Sequence, residues 1–116
     1  MRLTSDFWVS ALIRKVQGEG GFAYLSRRGA MEAGAIFIKV SSRLSGTDLY
    51  GPAPQTSYDD EHDGERMFAR ILSAVDDMAT EERMQREIRF DPDLWLMELE
   101  DVVDASTLFQ IADLEI

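Results

Sequence analysis

The sequence predicts a single α+β domain, and three observations predict it. An amphipathic stretch at helical spacing opens the chain, and strand-forming runs punctuated by glycine and proline follow. The third is the acid-fenced run Leu94-Trp95-Leu96-Met97-Glu98-Leu99-Glu100, which reads as the most buried, centrally placed strand of one small sheet. At 116 residues and 45% hydrophobic content, one core burying about two-thirds of the unfolded surface needs no staples. The expected order is α-β-β-β-α-α-β, a mixed or antiparallel sheet with helices packed on one face, over residues 1–101, and a tail over residues 102–116.

The first helix follows from Thr4-Ser5-Asp6, whose side-chain oxygens can meet free amides, and from Trp8, Ala11, Leu12 and Val16 on one face, widened by Val9 and Ile13. Gly18, Gly20 and Gly21 close it. They come after a helix rather than between a strand and a helix, so they read as a cap and not as a phosphate-binding loop. Phe22–Arg28 is the first strand, released by Gly29. Gly34–Ser41 is the second, apolar on both sides for half its length. Ser45-Gly46 is a two-residue hairpin signal into a short third strand, Thr47–Tyr50, stopped by Gly51-Pro52-Ala53-Pro54, which gives a three-stranded meander.

Gln55–Asp63 is polar and acidic, a surface loop. Phe68, Ile71, Leu72 and Val75 then fall at helical spacing, predicting an amphipathic helix against the sheet. Asp76-Asp77 end or interrupt it. Thr80 caps a further helix through Arg89, with Met84 and Ile88 on one face and Glu82–Arg86 and Arg83–Glu87 as i, i+4 pairs. Pro92 pushes Asp91 out of the helical region and turns the chain into the buried strand. In the tail, Asp104 or Ser106 can cap a short helix showing Leu108, Ile111 and Ala112 on one face. Side chains this apolar would be buried on this chain or on a second copy.

Three groups of residues together carry a resemblance: Asp6-Phe7-Trp8-Val9; Arg27-Arg28-Gly29 with Ala33-Gly34-Ala35-Ile36-Phe37; and Phe90-Asp91-Pro92-Asp93-Leu94-Trp95 with Glu98-Leu99-Glu100-Asp101. In them the chain resembles Domain of Unknown Function 1491, a small alphaproteobacterial family. The resemblance covers about residues 1–101. It implies a single-domain bacterial protein and brings no activity, cofactor or catalytic residue with it.

The net charge of −10 is uneven. Residues 1–58 carry seven Lys or Arg against four Asp or Glu, while residues 59–116 carry five against eighteen. An acidic protein repels phosphate backbones, so an anion or nucleic-acid site would need its basic residues gathered on one face. Arg14, Lys15, Arg27 and Arg28 are the candidates, and a solvated surface is the commoner use of such residues. With no cysteine, thiolate metal sites, thiol nucleophiles and disulfides are excluded. No apolar run approaches the ~20 residues of a membrane span, and no leader pattern opens the sequence, so the expected place is the cytoplasm.

Asp59-Asp60-Glu61-His62-Asp63-Gly64 has the rhythm of a calcium loop but puts Arg70 where the bidentate glutamate belongs. His62 is the only histidine and has no evident partner in the sequence; no Gly-x-Ser-x-Gly elbow is present. The remaining chemistry is a group of carboxylates, Asp91, Asp93, Glu98, Glu100 and Asp101. Glu98 and Glu100 share a strand face about 7 Å apart, a spacing that suits a hard cation or an acid–base pair, but equally a solvated strand end paired with Arg27, Arg28 or Lys39. No cofactor and no resident metal are expected, and the reading leans away from an enzyme. It favours a cytosolic protein-interaction module that self-associates, ahead of a carboxylate-based metal-dependent enzyme or ligand binder and then an anion or nucleic-acid binder.

Overall fold

The computed structural model describes residues 3–42, 44–54 and 66–112. The chain runs α1 (Ser5–Gly18), β1 (Phe22–Arg27), β2 (Ile36–Ser42), β3 (Gly46–Pro52), β4 (Met67–Val75), α2 (Asp77–Phe90), β5 (Trp95–Glu100), one 3-10 turn (Ala105–Thr107) and β6 (Gln110–Ile111). All six strands form one mixed sheet in the order β1-β5-β2-β3-β4-β6. β5 runs parallel to β2 and β4 parallel to β6, and every other pair is antiparallel. The protein is thus an α+β domain.

β5 is inserted between β1 and β2, so the expected meander of the first three strands does not form, and the consecutive antiparallel strands are β2, β3 and β4. Burial explains the insertion. β5 is buried on both faces over Trp95, Leu96 and Met97, which only an interior position provides, whereas β1 alternates exposed and half-buried side chains, as an edge strand does.

The helices cover opposite faces rather than one. Ile36 and Ile38 of β2 share a cluster with Val9, Leu12 and Val16 of α1 and with Trp95, Met97 and Leu99 of β5. Phe37 between them points the other way, to Met84 of α2, Leu49, Leu94 and Leu96. A strand whose alternate side chains are all apolar has two faces to bury, so it draws a helix to each.

α1 buries Ser5, Val9, Leu12 and Val16. Its first amides are met by backbone carbonyls instead of by the Thr4 side chain: Ser5 donates to Glu32 and Asp6 to Met31, each at 3.0 Å. Gly20, at φ +88, closes the helix in the left-handed region.

The segment expected as a helix from Phe68 to Val75 is strand β4. Its pairing runs Pro52–Phe68, Gly51–Ala69, Tyr50–Arg70, then Leu49–Leu72 and Thr47–Val75, with an extra residue at each of the last two steps. The first bulge lets the adjacent Ile71 and Leu72 both pack on the α2 cluster, while Phe68 faces the α1 cluster. At the second, Ala74 takes φ +54 and its amide donates to the Asp48 carboxylate at 2.8 Å. Two bulges in one strand therefore imitate a helical spacing.

α2 starts earlier than Thr80. Asp76 caps it by accepting from the Ala79 amide at 2.8 Å, and Thr80 is buried within the first turns with its hydroxyl donating to the Asp76 carbonyl. Met84 and Ile88 do share the inward face. The β2–β3 register pairs Ser42 with Gly46, so three residues join these strands rather than two. The tail forms the 3-10 turn and β6 in place of a helix, and Leu108 and Phe109 enter the α1-side core, where Phe109 meets Tyr50 and Phe68 edge-on at 5.2 Å. Burial there raises the Tyr50 phenol above its usual range, with the neighbouring Asp48 charge adding to the effect.

Candidate functional site

Asp91, Asp93, Arg27 and Arg28 lie where β1 ends and β5 begins, joined there through backbone carbonyls and the Trp95 ring. The Asp93 carbonyl accepts from the Ala30 amide at 2.9 Å and lies so close to Gly29 and Gly34 that a Cβ on either would stand 2.2 or 2.6 Å from it. Trp95 closes this knot, donating its indole N–H to the Ala30 carbonyl at 2.8 Å and its amide to Ala35 at 2.7 Å. Arg27 donates to the Pro92 carbonyl at 2.8 Å, and the Arg28 guanidinium lies 5.4 Å from the Trp95 ring centroid. The Ser5 hydroxyl adds α1 by donating to the Gly34 carbonyl at 2.7 Å. Asp91 turns back on the Asp93 amide at 3.1 Å.

Glu98, Glu100 and Asp101 lie at the other end of β5. At about 3.3 Å per residue, Asp93 and Glu100 are roughly 20 Å apart, so the five carboxylates form two groups rather than one. Glu98 and Glu100 share a face, opposite Tyr24 and Phe22 of β1. Lys39, opposite Glu98 on β2, reaches it at 3.6 Å and Asp77 at 3.5 Å. Asp101, at φ +57, turns the chain out of the sheet. Among the described residues no three His, Asp or Glu side chains are gathered as a metal ion would need. The four candidate anion-binding residues are divided as well. Lys15, donating to the Thr107 carbonyl at 2.7 Å, and its neighbour Arg14 sit at the end of α1 that lies beside Gly21, whereas Arg27 and Arg28 are at the far end of β1. His62 and the acidic run 59–64 lie outside the described residues.

Between these ends lies a feature the sequence reading missed. β1 is the edge of the sheet, six residues long, and among the described residues no strand pairs with its outer side. Phe22 and Tyr24 are 52% and 50% exposed on the face that α2 covers elsewhere, because α2 rests on β3 and β4. Among the described residues the opposite edge is the two-residue β6 and, past it, the outer side of β4 from Ala69 to Val75, where bulges at Ile71 and Ala74 break the alternation. The alternation of Phe22, Tyr24 and Ser26 with Ala23 and Leu25 was the available signal, but it marks an edge only once β5 is known to lie inside. A cleft of about 460 Å³ opens elsewhere, between Thr4, Glu32, Ile36, Pro52 and Phe68. There Arg66 donates to the Leu3 carbonyl and the Ser5 hydroxyl at 2.8 and 3.2 Å. Four separate segments line that cleft, and no local pattern announces it.

The model of a family described as a protein of unknown function, DUF1491, matches residues 3–109. The chain belongs to the DUF1491 family. The match extends eight residues past Asp101, into the tail that supplies Leu108 and Phe109 to the core. Among solved structures, the DUF1491 chain is similar to protein Atu0922 of Agrobacterium tumefaciens, with 44% identity over 99% of this chain and 98% of that one and a TM-score of 0.85. It is similar also to a DUF1491 protein of Caulobacter crescentus. The crystal structure of that protein gives 28% identity, 97% and 100% coverage and a TM-score of 0.74, and its NMR structure gives 31% identity, 97% and 99% coverage and a TM-score of 0.77. Both organisms are alphaproteobacteria. No curated protein matches the chain.

Proposed function

We propose that this DUF1491 chain is a cytoplasmic protein-interaction module that takes an extended segment of a partner chain onto the outer edge of β1. The observation that carries this reading is the asymmetry of the sheet. One edge is a six-residue strand bearing two half-exposed aromatic side chains beside a part of the sheet that α2 leaves bare; the other is the two-residue β6 followed by a stretch of β4 that two bulges interrupt. Unpaired N–H and C=O groups along a strand are a ready template for another strand, and sheets that do not use such an edge shorten, charge or cover it. β1 is none of these between Phe22 and Leu25, and its one bulge, at Ser26, comes after them. Among the described residues no helix is long and apolar enough to cross a membrane, which accords with a module of the aqueous compartment.

Replacing Tyr24 with a photo-crosslinking phenylalanine in the native cell tests the reading. Covalent adducts between this position and a protein chain are expected. If illumination leaves only the free chain, while the same probe at other surface positions gives the same result, the edge is not a docking strand and the reading falls.

A further inference from the structure

Resting on that reading of β1, we infer that its occupant is a second copy of this chain, paired antiparallel about a two-fold axis so that two six-stranded sheets continue as one. An axis perpendicular to the sheet preserves its faces, and cross-strand neighbours must point to the same face. Each residue of β1 therefore meets one of its own parity, and Ala23, Tyr24 or Leu25 sits on the axis. With Ala23 there, Phe22 of each copy stands opposite Tyr24 of the other. Two aromatic pairs that are half-exposed in one copy then cover each other on the bare part of the sheet.

The charges select the same arrangement. Along the edge itself, exposed Glu19 comes just before Phe22, with Glu100 at the end of β5 and Asp101 just past it, while Arg14 and Lys15 stand on α1, Lys15 held by the Thr107 carbonyl; the other end carries Arg27 and, just past β1, exposed Arg28. Asp91 and Asp93 stand inward of that end, in the turn leading into β5. Antiparallel pairing brings the acidic end of each copy to the basic end of the other, twice over by symmetry, whereas a parallel pairing would set like against like. A foreign strand would need a matching charge gradient of its own; a second copy has it by construction.

Analytical ultracentrifugation of the full chain at low salt, from micromolar to near-millimolar concentration, tests this with Glu19→Arg and Arg28→Glu. Both side chains are exposed, and circular dichroism confirms that each variant is folded. Wild type is expected to dimerise. Each single variant is expected to dimerise about tenfold more weakly, since reversal turns two attractive contacts per dimer repulsive. An equimolar mixture of the two variants should recover wild-type association as a one-to-one heterodimer, because each reversed charge then meets the other variant's reversed charge. A wild type that stays monomeric throughout overturns the inference. So does a dimer indifferent to both reversals, or a mixture with no preference for the heterodimer. A monomer whose Tyr24 probe still captures another protein in the cell overturns the self-pairing alone and leaves the docking edge standing.

Discussion

Gly29→Ala should unfold this domain far more readily than a methyl group suggests. A Cβ at Gly29 would stand 2.2 Å from the Asp93 carbonyl oxygen and 2.6 and 2.7 Å from the Leu94 carbonyl carbon and oxygen. All three are backbone atoms at the entrance to β5, so no side chain can swing aside. Ordinary contact begins at 3.4 Å, which requires the backbone to part by about 1.2 Å. The same Asp93 carbonyl accepts from the Ala30 amide at 2.9 Å, and such a movement stretches that bond to about 4 Å, beyond hydrogen-bond reach. Overpacking costs about 1–3 kcal/mol and a lost backbone bond about 1 kcal/mol more, for an expected loss of about 3 kcal/mol. For a domain of this size roughly 4 °C of melting temperature accompanies each kcal/mol, so the midpoint should fall on the order of 12 °C. Gly18→Ala is the control. It lies in the last turn of α1 with nothing within 4 Å of the added Cβ, and alanine there should be neutral or stabilise by about 0.5 kcal/mol. Urea and thermal melts of both variants decide the matter. A Gly29→Ala protein within about 1 kcal/mol of wild type would refute the argument that backbone contact at Asp93 sets the geometry of the knot.

Three further outcomes follow from the same structure. Trp95→Phe removes the indole donor to Ala30 and part of the ring beneath Arg28 while leaving a gap in the core, and urea titration should show a loss of about 2–4 kcal/mol. Tyr50 should ionise above 10.0 in the folded protein, because burial and then Asp48 disfavour the phenolate. A raised folded pKa means that this stabilisation is complete below the unfolded value and is lost as pH rises through the folded one. Phenolate absorbance during alkaline titration, with Tyr50→Phe as reference, should show one tyrosine titrating late and together with unfolding. Asp104 is shifted the other way, below 3.8, by hydrogen bonds from the Ser106 hydroxyl and amide. Its contribution is present above the unfolded value and lost as pH falls through the folded one, so the Ser106 amide resonance should move with a midpoint below 3.8 and stay still in Asp104→Asn.

What the sequence discloses here depends on whether the determinant is local. α1, β1, β2 and the β5 strand are legible because apolar spacing, glycine and Pro92 act over a few neighbouring residues. β4 is misread for a physical reason: bulges at Ile71 and Ala74 reset the two-residue alternation, and Phe68, Ile71, Leu72 and Val75 come out at the spacing of a helix. Strand order is the least legible feature. Nothing between Phe22 and Ser42 announces that a strand some sixty residues later will enter between β1 and β2, because that choice is made by which strand most needs two covered faces. The candidate charges fail for the same reason. Asp93 and Glu100 are near in sequence, but an extended strand carries them apart, and Lys15 and Arg28 are near in sequence but are divided by the reversal from α1 to β1.

The residues that carry the family resemblance are accounted for mainly by packing. Gly29 and Gly34 admit the Asp93 carbonyl, Pro92 accepts from Arg27, Trp95 spans Ala30 and Ala35, and Ser5 ties α1 to Gly34. A motif of this kind can be specific to a family because a fold requires it, without any of its members touching a ligand. Of the features proposed to meet a partner, Arg27 and Arg28 belong to the motif as well, whereas Glu19, Phe22 and Tyr24 lie outside it, on an edge that the fold does not need to close. The two sets should therefore separate under mutation. Phe22→Ser with Tyr24→Ser should stay within about 0.5 kcal/mol of wild-type stability, as surface changes do, while abolishing association measured by ultracentrifugation. Trp95→Phe should lose stability and, at temperatures where it remains folded, keep the association. If the Phe22 and Tyr24 double variant lost its fold instead, the aromatic pair would belong to the core of the monomer, and the division between a structural motif and a binding edge would be wrong.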